Sequence, residues 1–132
     1  MVRGFSVSCW VLVGAVLCML IPVSGQTQKM KLPPVVRIAE LEIDADQILA
    51  YKHALSDEIA TSVRDEPGVL TLYAVSVKGQ PSQVRIFETY KDQAAYESHL
   101  QSPHFKKYKE VTRGMVKSLK LIETEPIMLA GK

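Results

Sequence analysis

Hydrophobic and polar positions change period several times along this chain, and each change marks an element. Val35 to Ile43 is rich in β-branched and aliphatic residues and partly alternating, which predicts a first strand. Asp44 follows as a helix cap, and Gln47 three residues later has the spacing of a capping box. Ile48, Leu55, Ile59 and Val63 then recur at helical spacing with Tyr51 beside them, so residues 45–64 are expected to form a helix burying that face. Pro67-Gly68 stops it. Val69 to Val77 reads as a second strand, Gly79-Gln80-Pro81 as a hairpin loop, and Val84 to Tyr90 as the returning strand.

The second half repeats the scheme. Asp92 caps a short helix running to Leu100, and Ser102-Pro103 restarts the chain as cap and first helical residue. Phe105, Tyr108, Thr112 and Met115 lie on one face of this third helix. Leu119 to Leu129 reads as a closing strand whose far end Pro126 places at a sheet edge. The order βαββαβ predicts an α+β ferredoxin-like fold: an antiparallel four-stranded sheet with helices on one face. The other face needs a covering surface, and sheet-to-sheet pairing in a homodimer supplies one.

The first 25 residues follow a different pattern. Seventeen are hydrophobic and Arg3 is their only charge. Val11 to Ile21 forms an apolar core, Pro22 breaks it, and Val23-Ser24-Gly25 offers small residues for cleavage, so residues 1–25 are expected to be a signal peptide. The competing reading is an uncleaved anchor, because Phe5 to Val23 is 19 residues without a charge. Export to the periplasm or outside the cell is the expectation, with a membrane-anchored form as the alternative and no membrane contact after cleavage. Residues 26–34, closed by Pro33-Pro34, read as a linker, and residues 35–132 as one domain.

Without the leader the apolar share falls from 47% to roughly 42%, an ordinary globular value. Residues 26–132 carry 15 Lys+Arg against 14 Asp+Glu, which excludes the broad basic footprint of a nucleic-acid binder. Both cysteines, Cys9 and Cys18, lie in the leader, so the domain has no thiol for a disulfide, a metal or nucleophilic catalysis. No asparagine occurs anywhere, and so no N-glycosylation sequon. No glycine-rich nucleotide fingerprint argues for a flavin or nicotinamide. His53, His99 and His104 lack a compact metal-ligand spacing, so no metal is expected.

The run Glu66-Pro67-Gly68-Val69-Leu70, then Phe87-Glu88-Thr89-Tyr90-Lys91-Asp92 leading through Ala95 and His99 to Ser102-Pro103-His104-Phe105, resembles the antibiotic biosynthesis monooxygenase (ABM) domain family. The resemblance spans residues 35–127 and implies a dimeric α/β-barrel. It also implies an activity like that of the small quinol monooxygenases, which use no flavin, haem or metal. The family's haem-degrading branch uses an Asn, a Trp and a His, and those positions fall here at Leu41, Tyr90 and Lys109. Lysine is a poor substitute for an axial histidine, which disfavours haem breakdown. A sugar-phosphate isomerase branch acts in the cytoplasm, at odds with an export signal.

Strand alternation puts Val84, Ile86, Glu88 and Tyr90 on one face, which the resemblance turns toward the pocket, with Arg37, Ala39 and Leu41 matching them on the first strand. Dioxygen reacts slowly with closed-shell organic molecules unless the substrate donates an electron, and a deprotonated dihydroxy-aromatic does so. A neutral-range histidine suits the proton removal. His99 is therefore the candidate base or orienter, with Glu88 as its partner or as a polar pocket group. Tyr73, Tyr90, Arg37, Leu41, Ile86, His104 and Phe105 are candidate substrate contacts. Plainer roles stay open: His99 can satisfy helix-end carbonyls, His104 can belong to a capping turn, and Glu88 can pair with a lysine or with a partner subunit. Tyr73 and Tyr90 can be packing residues and Arg37 an interface charge. Two function classes follow: a cofactor-independent oxygenase of quinol-like aromatics, or a non-catalytic dimeric module binding a small hydrophobic molecule. A buried ionisable group facing a cavity would separate them.

Overall fold

The computed structural model describes residues 32–131. The expected leader, its two cysteines and most of the linker lie outside them. β1 (Val35–Ile43) has the expected bounds. A single 3-10 turn, Ala45–Gln47, then leads into α1 (Ile48–Asp65). β2 (Val69–Val77), β3 (Gln80–Tyr90), α2 (Gln93–Gln101), α3 (Pro103–Val111) and β4 (Val116–Thr124) follow. The strands form one antiparallel sheet ordered β2-β3-β1-β4, the ferredoxin-like arrangement predicted from the pattern. No helix among the described residues is long and apolar enough to cross a membrane.

One face of the sheet packs under the helices. Ala39, Leu41 and Ile43 of β1 and Val84 and Ile86 of β3 meet Tyr51 and Leu55 of α1 and Tyr108 of α3. A second cluster joins Val69, Leu72 and Tyr90 beneath α2. At about 25 cal/mol per Å² of apolar surface, each large side chain in these clusters contributes roughly 1.5–3 kcal/mol.

Several details depart from the pattern. The buried stripe of α1 is Tyr51, Leu55, Glu58 and Ser62, while Val63 is 48% exposed. The helical period admitted either stripe, and the polar members disguised the true one. The Gln47 side chain donates to the Gly114 carbonyl and not to a cap. The hairpin turn is Lys78-Gly79, with Gly79 at φ 79°. β3 therefore begins earlier than expected, and Pro81 lies where the β2–β3 register is already irregular. Met115 lies beyond the end of α3, and its carbonyl accepts from the Asp44 amide. β4 runs from Val116 to Thr124 and not from Leu119 to Leu129, because an irregularity after Glu42 lets Ile43 pair with Val116. Pro126 lies outside it.

Candidate functional site

A cavity of about 320 Å³ opens between the helices and the inner sheet face, within the range of small-molecule sites. Leu41, Leu72 and Ile86 form its sheet wall and Leu55, Phe105 and Tyr108 part of its helical wall. Polar groups interrupt this apolar lining, among them Glu58, Glu88, Tyr90 and His99, with Lys109 and Thr112 also at the wall.

His99 is 3% exposed at the C-terminal end of α2. Asp92 caps that helix by accepting from the Ala95 amide at 2.9 Å. The helix presses on the Pro67-Gly68 turn so closely that a Cβ on Gly68 would stand 2.5 Å from the Ala95 Cβ. That approach requires glycine. It sets Glu66, at the end of α1, against the His99 ring, with Oε1 2.8 Å from Nδ1. The same oxygen lies 2.6 Å from His104 Nε2, and Ser102 Oγ is 3.1 Å from that nitrogen. Burial is the largest single influence on Glu66 and pushes its carboxyl up, but the bonds to the two imidazoles together outweigh it and hold it below the ordinary value of 4.5. An ionised Glu66 accepts the Nδ1 proton of His99, which leaves Nε2 free on the far side of the ring. Tyr90 and Phe105 fix the ring plane, with centroids 5.4 and 4.7 Å away.

Glu58 faces that free nitrogen, its Oε1 3.6 Å from His99 Nε2. It is 6% exposed and accepts a hydrogen bond from Ser62 Oγ at 2.6 Å. Glu88 sits further along the sheet wall. Burial pushes its carboxyl above the usual range, partly offset by the hydrogen bond from Tyr90 and by the nearby His99 and Arg37. The Tyr90 hydroxyl donates to Glu88 Oε2 at 3.0 Å. Burial first and the adjacent Glu88 second raise the Tyr90 phenol, so it remains a neutral donor. A second buried pair, Tyr51 and Tyr108, joins hydroxyl to hydroxyl at 2.8 Å. Burial raises both phenols.

His99, Glu88, Tyr90, Leu41, Ile86 and Phe105 thus meet at one cavity, the strand residues on the face that the family resemblance turned toward it. Three candidates do not. An irregular register between Val69 and Thr71 turns Leu72 inward opposite Glu88, and Tyr73 falls opposite Phe87 on the outer face, 68% exposed. Arg37 pairs with Glu123 and lies over the Tyr96 ring, 4.2 Å from its centroid. His104 faces a neighbouring groove and reaches the site through Glu66. His99's partner is likewise Glu66 and not Glu88, which bonds to Tyr90.

Glu58 and Glu66 were missed as site residues. A carboxylate three residues after Leu55, on the buried side of a helix, was the available signal for Glu58. Glu66 stood in plain view in the Glu66-Pro67-Gly68 motif, but only the folded chain brings it to His99.

A split βαβ pair folded into one antiparallel sheet, with an ionisable cavity under its helices, defines a domain of the ferredoxin-like class. The model of the family described as "Antibiotic biosynthesis monooxygenase" (ABM) matches residues 34–111, more than half of the chain, and the chain belongs to that family. A candidate antibiotic biosynthesis monooxygenase from Bacteroides thetaiotaomicron is 47% identical with a TM-score of 0.73, over 75% of this chain and 94% of that one. A candidate monooxygenase from Lactobacillus acidophilus is 31% identical with a TM-score of 0.66, over 69% of this chain and 44% of that one. A third structure, from Nitrosomonas europaea, is 19% identical with a TM-score of 0.68, over 71% of this chain and 99% of that one, and it shows the shared fold. No curated protein sequence matches the chain. Family and neighbours together support a monooxygenase type of function at this general level.

Proposed function

We propose that this protein is a monooxygenase that oxidises a quinol-like or polycyclic dihydroxy-aromatic with dioxygen and needs no organic cofactor. The observation that carries the reading is a buried imidazole, His99, that lines an apolar cavity with one nitrogen held by a carboxylate and the other free. A binding module for an apolar ligand has no need of such a group. In the reaction, Nε2 removes a phenolic proton while Glu66 stabilises the imidazolium through Nδ1. The electron-rich phenolate supplies electrons to dioxygen, a carbon–oxygen bond forms, and the hydroperoxide loses water. One oxygen atom enters the ring and the other leaves as water, converting a naphthoquinol to a hydroxynaphthoquinone without an external reductant.

Glu88, with its raised carboxyl, hydrogen-bonds the second hydroxyl, and Leu41, Ile86 and Phe105 clamp the ring faces. The cavity volume suits one or two fused rings. The working unit of the proposal is a homodimer closed through the outer sheet face, where Tyr73, Val75 and Phe87 are exposed. The proposed site of action is outside the cytoplasm, on the strength of the leader sequence. Oxygen uptake with reduced naphthoquinols, comparing the protein with His99→Ala, tests the reading.

A further inference from the structure

Three ligand-bearing side chains converge beside the cavity from three helices: Glu58 of α1, His99 of α2 and His104 of α3. One ligand atom of each lies within 4.8 Å of the others. We infer that they form a binding site for a divalent transition-metal ion such as zinc, with Glu66 as the outer carboxylate that orients the imidazole.

Spacing carries the argument. Glu58 Oε1 and His99 Nε2 are 3.6 Å apart, too far for a good hydrogen bond. Bonds of about 2.0–2.1 Å to one tetrahedral ion place two ligand atoms about 3.4 Å apart, so this buried pair already stands at ligand spacing. The outer contacts are in place as well. Glu66 holds Nδ1 of His99 and leaves Nε2 to the ion, the carboxylate–imidazole–metal arrangement of many zinc sites. Ser62 Oγ donates to Glu58 Oε1 at 2.6 Å and fixes the position of that oxygen. His104 completes the set when its ring turns from Glu66, and the groove it shares with Glu58 gives it room. Two nitrogens and one oxygen favour zinc and its first-row neighbours over magnesium or calcium, which require shells of oxygen. The histidines offer no compact ligand set along the chain, whereas in the fold α2 and α3 bring His99 and His104 together, ring centroids 6.3 Å apart.

A bound ion occupies Nε2 of His99, so metal binding and proton removal exclude each other and zinc inhibits the proposed oxygenation. The binding test is independent of that activity. The full chain, untagged and with Cys9→Ser and Cys18→Ser so that no thiol competes, is stripped with chelator and titrated with zinc chloride by calorimetry. Cobalt chloride provides a spectroscopic probe of coordination. One ion per chain is expected, with a four-coordinate cobalt spectrum. Affinity should fall at least tenfold in His104→Ala and in Glu58→Gln, and about 10–100-fold in Glu66→Gln. His53→Ala should leave it unchanged, although the exposed His53–Asp57 pair, 3.3 Å apart, borders the same groove. No saturable binding would overturn the inference, as would binding that survives His104→Ala and disappears in His53→Ala. Where Glu58→Gln fails to fold, the half-buried His104 variant still decides the outcome.

Discussion

Replacing Glu66 by Gln separates the charge of this side chain from its shape. The amide keeps an acceptor 2.8 Å from His99 Nδ1 and 2.6 Å from His104 Nε2 but removes the anion both rings share. A hydrogen bond to a charged group contributes about 1.5–3 kcal/mol and a neutral one about 0.5–1.5, so the loss at His99 is about 1–2 kcal/mol. That loss grows in relevance when His99 takes a proton, because the imidazolium then faces an amide in place of a carboxylate. At 1.36 kcal/mol per factor of ten, kcat should fall about 5–30-fold. The assay is oxygen uptake with a reduced naphthoquinol, with near- and far-ultraviolet circular dichroism confirming the fold. KM should move little, since Glu66 does not line the cavity. A folded variant with unchanged kcat would refute the role given to Glu66.

Other consequences are equally direct. Glu88 titrates above its ordinary 4.5 in the folded chain, so its ionisation opposes folding once the pH exceeds that value. Glu88→Gln should therefore raise urea stability near neutrality, and the gain should vanish as the pH falls through 4.5. Gly68→Ala pushes a methyl group to within 2.5 Å of Ala95 and should cost about 1–3 kcal/mol in urea unfolding. Tyr51→Phe and Tyr108→Phe each leave the other hydroxyl buried and unpaired, at about 1–3 kcal/mol each; the double variant should cost less than the sum, measured as a double-mutant cycle. Tyr73→Lys should leave the monomer's unfolding within about 0.5 kcal/mol and reduce dimer mass in sedimentation if the outer face is the dimer contact.

Strand order and most of the cavity wall were legible because they rest on local periodicity. Alternation along Val84 to Tyr90 fixes which side chains share a face, and the family resemblance turned that face, with Ile86, Glu88 and Tyr90, toward the cavity where they lie. Tyr73 was misplaced because one irregular register step between Val69 and Thr71 reverses the pleat, and no residue type there announces it. Val63 was misread as core because Glu58 and Ser62 take the buried stripe, and the hydrogen bond between them that meets their burial has no signature in the hydrophobic period. Glu66 shows the same limit. Its 33-residue separation from His99 is closed by the packing of Gly68 on Ala95, a tertiary contact without a local pattern.

Oxygen uptake across a panel of reduced naphthoquinols decides whether His99 acts as a base toward a dihydroxy-aromatic. Protein-dependent uptake well above autoxidation is expected, with a hydroxylated quinone as product and loss of both in His99→Ala with the fold retained. Uptake equal to autoxidation across the panel, or full activity in His99→Ala, would contradict that role.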